Sequence, residues 1–209
     1  MTMADIMISG TITESSAFDV CARIGDAWKY YRYDEVTLRI SSPGGDTVGM
    51  SRILREIDRC QRQGITVRTL CVGPVASAAA VIASAGSLGH RDAWSEARLL
   101  YHEPRAMGRR LLHTADALID LAGDLGATQE RMLEGLLCRI PGSASGPGPT
   151  VDLRELPQRL RGVLREARAS DGPMSLRDAY ALLLRLDIWI TPEEACALRL
   201  LDRCLPFDE

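Results

Sequence analysis

The strongest restriction on the fold is an alternation that runs through the first third of the chain. Residues 6–9, 36–40 and 65–72 are short segments that read as strands, the last of them rich in β-branched side chains. Between them lie two longer segments of helical period. In residues 17–31, Phe18, Cys21, Ile24, Ala27 and Trp28 fall on one side; after the turn Ser42-Pro43-Gly44-Gly45, Val48, Ser51, Ile53, Leu54 and Ile57 mark a second helix that ends near Gly64, a natural C-terminal cap. Strands that alternate with helices make stacked β-α units rather than a sandwich or a bundle, so the expected class is α/β.

The second half extends this pattern and then breaks it. A turn at residues 73–76 leads into residues 76–85, where small side chains dominate, so a helix there can pack its backbone close to its neighbours with Ser77 in its first turn. Residues 98–102 read as a strand that ends in His102. Residues 114–138 read as a long amphipathic helix with Leu118, Leu121, Leu125, Met132 and Leu136 among its apolar positions. Three prolines and three glycines within residues 141–149 then demand a loop. An arginine-rich helix over about 153–168 follows, and Ser175, with Asp178 three residues on, opens another. The chain finishes through residues 188–190, a helix from Pro192 and an apolar stretch at 200–205.

Composition removes several function classes. Lys plus Arg total 25 against 28 for Asp plus Glu, a formal charge of −3, which offers no large positive field for nucleic acid or an anionic membrane. The first ten residues resemble neither a signal peptide nor an anchor, and the low-charge run at 72–90 is broken by Gly73, Pro74, Gly86 and Gly89, so no membrane span is expected. The cysteines at 21, 60, 71, 138, 196 and 204 form no C-x-x-C pair, so neither a zinc site nor a disulfide framework is expected; they read as reduced and cytoplasmic. No metal and no cofactor is called for. The 209 residues are expected to form a single domain.

Three features can carry chemistry, each with a plainer structural explanation beside it. Ser77 follows a strand and opens a helix, where free N–H groups can stabilise an oxyanion, or where the serine can simply act as an N-cap. The run Ser42-Pro43-Gly44-Gly45-Asp46 can present glycine N–H groups to a ligand, or be an ordinary strand-to-helix turn. His102, at a strand end, can be a general base or a structural histidine, whereas His90 and His113 stand in charged surroundings and read as solvated.

Taken together, these runs carry a resemblance. SSPGGD at 41–46, GPVASAAAVIASAG at 73–86 and LLYHEP at 99–104 are similar to the successive motifs of the ClpP-type serine peptidases, and the 25 residues from Ser77 to His102 match that family's interval. LDIWITPEEACALRLLD at 186–202 is similar to the family's C-terminal segment. Some of the wording also resembles the ClpP-like proteases of phage heads. The resemblance covers about four-fifths of the chain. It implies the ClpP/crotonase-like spiral of β-β-α units with a long projecting helix. It further implies a Ser-His-Asp endopeptidase acting on polypeptides, with Ser77 as nucleophile, His102 as base, Asp187 as the residue that supports the imidazolium, and the N–H groups of Gly45 and Ala78 as oxyanion hole. A homo-oligomeric ring follows from the likeness of residues 114–138 to the family's handle helix.

The chain departs from the family in three places. It begins close to the first core strand, so the axial gating segment is expected to be missing and an ATPase partner is not implied. Residues 140–172 interrupt a stretch that is short in the family; with little large apolar surface to bury, they are expected to form a mobile flap beside the cleft. Arg199 stands where the family's closing pattern has glycine. Two other functions remain open: a crotonase-class acyl-CoA enzyme, which shares the fold but needs no Ser-His pair, and a non-catalytic assembly subunit. A Ser-Lys dyad is disfavoured because the only lysine, Lys29, lies well before Ser77.

Overall fold

The computed structural model describes residues 3–105, 115–140, 148–168 and 172–207. The order is β1 (Met3–Ser9), α1 (Glu14–Lys29), β2 (Glu35–Ser42), α2 (Thr47–Arg62), β3 (Thr66–Ala76), α3 (Ala78–Ala83), β4 (Arg91–Trp94), β5 (Arg98–Leu100), α4 (Ala115–Leu137), β6 (Thr150–Asp152), a 3-10 turn (Leu153–Glu155), α5 (Gln158–Arg168), β7 (Pro173–Ser175), α6 (Leu176–Leu186), β8 (Trp189–Ile190), α7 (Pro192–Ala197) and β9 (Arg203–Leu205). The main sheet runs β1-β2-β3-β4-β9, all parallel, with β5 parallel to β3 and β8 antiparallel to β5. The architecture is thus mixed α/β. His113, residue 114 and most of the loop expected at 141–149 lie outside the described residues.

Strand β3 organises the active end. Its first half pairs Thr69–Cys71 with β4, and its second half pairs Pro74–Ala76 with β5, while its register against β2 shifts between Ile40 and Ser42. The turn expected at 73–76 is therefore strand: pairing with β5 holds these residues extended despite the Gly-Pro pair. Gly73 makes the shift possible, because a Cβ there would lie 2.7 Å from Ser41 Oγ. The fork carries Ser77 away from β4 and onto the β5 side.

Helices α1 and α2 start at side-chain caps. Thr13 and Ser16 form a reciprocal capping box on α1, and Asp46 accepts from the N–H groups of Val48 (3.1 Å) and Gly49 (3.2 Å) on α2. On α1 the buried side is Ala17, Val20, Ile24 and Ala27; Phe18, expected inside, is 61% exposed. The apolar stripe is rotated by about one residue from the expected one, so that Val20 and Ile24, flanked by Ala17 and Ala27, enter the core in place of the aromatic ring. Val48 at the start of α2 is likewise exposed. Gly64, at φ 77°, turns the chain after α2 in a conformation that favours glycine.

The segment 140–172, expected to be a flap, is instead anchored in the core by Ile140, Val151, Leu153, Leu156, Leu160 and Leu164 among its described residues. Strands β6 and β7 pair antiparallel, and Leu153, Leu160 and Leu164 are fully buried in the same hydrophobic core as the sheet. Leu156, Leu160 and Leu164 recur every four residues, so one narrow apolar stripe lies hidden in an arginine-rich composition. Each such buried leucine contributes roughly 1.5–3 kcal/mol. Arg159 adds a polar clamp, donating to Glu194 on α7 and to the carbonyl of Trp189 (2.8 Å) on β8.

The C-terminal segment closes the sheet. Arg199, which stands in place of a glycine, takes φ 59°, a left-handed conformation that costs about 1 kcal/mol for a residue with a side chain. Asp202 ties this segment to β4: Oδ2 accepts from the N–H groups of Gly89 (2.8 Å) and Arg91 (3.0 Å) and from Arg91 Nε (2.9 Å), and Oδ1 takes the other arm of the guanidinium at 2.5 Å. Burial raises the Asp202 pKa, but the hydrogen bonds and charge of Arg91 more than offset it and hold the carboxyl below its ordinary value.

Candidate active site

Ser77 sits at the corner between β3 and α3. Its N–H donates to the carbonyl of Leu100 (2.8 Å), its backbone is at φ 57°, ψ −128°, and its side chain makes no capping hydrogen bond. The N-cap explanation is therefore not the one the fold adopts. A non-glycine residue in this region carries strain on the order of 1–3 kcal/mol, which the β3–β5 pairing and the neighbouring loop hold in place. The result is a hydroxyl lifted out of a strand-helix corner, the arrangement of a nucleophile elbow.

The loop at 42–46 braces that corner. Ser42 Oγ donates to the Gly10 carbonyl (2.6 Å) and accepts from the Gly44 N–H (3.1 Å). A Cβ on Gly44 would stand 2.5 Å from the Ala76 carbonyl oxygen and 2.6 Å from Ser77 Cβ, so the backbone approaches the serine more closely than any side chain permits. Gly45, at φ 150°, forms a parallel bridge with Ile12: the Ile12 N–H donates to the Gly44 carbonyl (2.8 Å), and the Asp46 N–H donates to the Ile12 carbonyl (2.8 Å). In such a bridge the central residue's own N–H faces the opposite side. Among the described residues neither this N–H nor that of Ala78 has a hydrogen-bond partner in the fold.

Ser77, Ala78, Gly45 and His102 line one cleft of about 600 Å³, together with Thr11, Thr47, Met50, Arg105 and Met132. The fold thus brings four of the five expected site residues together. His102 follows β5, and its Nδ1 lies 2.6 Å from the carbonyl oxygen of Glu103. A carbonyl can only accept, so this contact assigns the proton to Nδ1 and leaves Nε2 free to act as a base. No hydrogen bond joins Ser77 Oγ to His102 among the described contacts. His90, expected to be solvated, is half-buried outside the cleft with a buried Nδ1 that lacks a partner, because its carbonyl accepts from the Thr69 N–H (2.9 Å) and so holds the residue against β3 at the start of β4.

Asp187 is the residue that does not join the others. It ends α6 at φ 52°, outside the cleft lining, and its carboxylate pairs with Arg105 rather than with His102. Arg105 is also the main site residue that sequence reasoning missed; its only signal was adjacency to the His-Glu-Pro run. Gln129 on α4 was missed as well: its amide donates to Glu103 Oε1 (3.3 Å), linking the long helix to the histidine segment.

Competing nucleophiles are suppressed by their surroundings. Burial pushes the thiol of Cys71 up to about 12, and burial first, then nearby negative charge, pushes Cys196 up to about 11. Such thiols stay protonated at neutral pH. Tyr101, fully buried and hydrogen-bonded to Ser84 Oγ at 2.7 Å, is held above the usual tyrosine range by its burial. Among the described residues no cluster of His, Cys, Asp and Glu could hold a metal ion, and no helix is long and apolar enough to cross a membrane.

Comparison with known proteins bears on this site. The family model for Clp protease matches residues 1–134. The ATP-dependent Clp protease proteolytic subunit 4 of Rhodococcus jostii is 43% identical over 74 residues, 35% of this chain and 37% of that protein. Subunit 1 of Mycolicibacterium paratuberculosis is 33% identical over 103 residues, 49% of this chain and 47% of that protein. Subunit 1 of Thermobifida fusca is 34% identical over 103 residues, 49% of this chain and 45% of that protein. The chain spans less than half the length of each of these relatives.

Proposed function

Because the chain belongs to the Clp protease family, we propose that it is a serine endopeptidase that cleaves polypeptides through an acyl-enzyme. The observation that supports this most directly is the conformation of Ser77: a strained, uncapped serine at a strand-helix corner, in one cleft with a histidine whose Nε2 is free. In the proposed cycle, Ser77 Oγ attacks the scissile carbonyl carbon while His102 Nε2 takes its proton. The negative charge that develops on the carbonyl oxygen is received by the N–H groups of Gly45 and Ala78. His102 then returns the proton to the leaving amine, and water, activated by the same imidazole, releases the acyl group. Asp187 supports the imidazolium once its carboxylate has turned from Arg105 to Nδ1.

A homo-oligomer is part of this reading. Among the described residues of helix α4, Met132, Leu133 and Leu136 near its C-terminal end are buried, whereas Ile119 is 68% exposed, so the helix offers an apolar surface to further copies. The relatives' names describe ATP-dependent assemblies, and an ATPase partner is carried over to this chain only as a proposal. The free cysteines accord with a reducing compartment such as the cytoplasm.

The test is labelling with a fluorophosphonate, read by mass spectrometry. The expected result is one modified residue, Ser77, with labelling lost in Ser77→Ala. A folded protein that takes up no label would favour the non-catalytic assembly subunit instead.

A further inference from the structure

Arg105 is the one permanent cation among the described residues that line the cleft, and it is paired with Asp187. Two groups that seek a carboxylate, the Arg105 guanidinium and the His102 Nδ1–H, thus lie within three residues of each other on the segment that follows β5. That segment is pinned to the end of α6 by the Glu103 N–H, which donates to the Leu184 carbonyl (3.1 Å), three residues before Asp187. In the observed arrangement Asp187 is on Arg105, and His102 Nδ1 makes do with the neutral carbonyl of Glu103 at 2.6 Å. A carbonyl selects the right imidazole tautomer, but it stabilises the imidazolium less than a carboxylate does.

We propose that Arg105 is a positioning residue that withholds Asp187 from His102, so that the site alternates between a latched state, with Asp187 on Arg105, and an aligned state, with Asp187 on the imidazole. This rests on the reading of Ser77 and His102 as nucleophile and base. The other acids near the segment do not compete for the guanidinium. Both Asp46 oxygens accept from the first turn of α2, and Glu103 accepts from Gln129. The Arg105–Asp187 pair is largely exposed, with side-chain exposures of 56% and 41%, so opening it is inexpensive and the two states lie close in energy.

The experiment measures the rate at which a neutral fluorophosphonate modifies Ser77. The step forms the Oγ–P bond, expels fluoride and passes the serine proton to His102, so it reports on the base without substrate-binding effects. Arg105→Gln is expected to label faster by about fivefold, the rate equivalent of the upper end for an exposed pair. Its pH midpoint is expected to move up by about one unit, since a carboxylate beside the imidazole favours the protonated form. Arg105→Lys, which keeps a cation, stays close to wild type. Arg105→Gln combined with Asp187→Asn loses the gain, which separates release of Asp187 from mere removal of a positive charge. Wild-type labelling is expected to accelerate as salt rises from about 0.05 to 1 M, whereas Arg105→Gln does not accelerate.

An Arg105→Gln rate at or below wild type with an unchanged midpoint overturns the latch. So does a wild-type rate indifferent to salt, an arm that needs no variant to fold. If Ser77 takes no label in any of these proteins, the hydrolase reading itself fails, and that result is distinct from a labelled Ser77 that ignores position 105.

Discussion

Replacing Gly45 by alanine tests the oxyanion assignment in a way that the structure quantifies. An added Cβ would fall 2.1 Å from the Ile12 carbonyl oxygen and 2.8 Å from the Ile12 nitrogen, both backbone atoms that cannot swing aside. Relieving the first contact alone requires a shift of about 1 Å, because carbon and oxygen in ordinary contact stay more than about 3 Å apart. The backbone is also at φ 150°, a region essentially reserved for glycine that costs a side-chain-bearing residue about 1–3 kcal/mol. The shift strains or breaks the two 2.8 Å hydrogen bonds of the Ile12 bridge, each contributing about 1 kcal/mol net. The expected loss of stability is therefore about 3–5 kcal/mol, to be read from urea unfolding.

Catalysis should suffer separately from stability. Misplacing one oxyanion donor slows acylation by about 10²–10³-fold, which is read as the rate of Ser77 modification under conditions where the variant is fully folded. Gly64→Ala is the matched control. It too has positive φ, at 77°, but nothing lies within 4 Å of its added Cβ, so it should lose about 1 kcal/mol and leave the labelling rate unchanged. Labelling of Gly45→Ala at the wild-type rate would refute both the steric argument and the role of the Gly45 N–H.

Other expectations follow from the same geometry. Ser77→Ala should slow peptide hydrolysis by at least about 10³-fold with an unchanged unfolding midpoint, since the hydroxyl that is lost makes no capping hydrogen bond and fills no core volume. Leu160→Ala, within a segment that composition alone makes a loose flap, should cost about 2–5 kcal/mol because the side chain is fully buried; a change within error in urea unfolding would restore the flap. Asp202 has a folded-state pKa below its ordinary value, so its contribution is present above the unfolded pKa and is lost as pH falls through the folded one; thermal unfolding against pH should show a shallower acid limb in Asp202→Asn. Asp187→Asn should instead slow acylation by orders of magnitude, read as the rate of Ser77 modification.

Much of the site was legible in the chain because its parts are local. A strand running into small residues at Ser77, two adjacent glycines after a strand, and a histidine just past another strand each declare their backbone geometry within a few residues, and the fold brings Ser77, His102, Gly45 and Ala78 to one cleft. The alternation of strand and helix periods likewise sufficed for an α/β class, since each element's apolar face is written in its own spacing. What the chain alone could not decide depended on partners distant in sequence. Phe18 faces outward because Ala17, Val20, Ile24 and Ala27 form the side of α1 that packs into the core, and residues 74–76 are extended because β5 pairs with them. The leucine stripe of α5 is buried because α6 and the 3-10 turn supply a surface for it. Asp187 was found by motif, but the group that holds it was not. Whether a carboxylate meets an imidazole or a guanidinium is settled by a few ångströms of backbone placement between segments more than 80 residues apart, and the sequence encodes that placement only through the packing of everything between them.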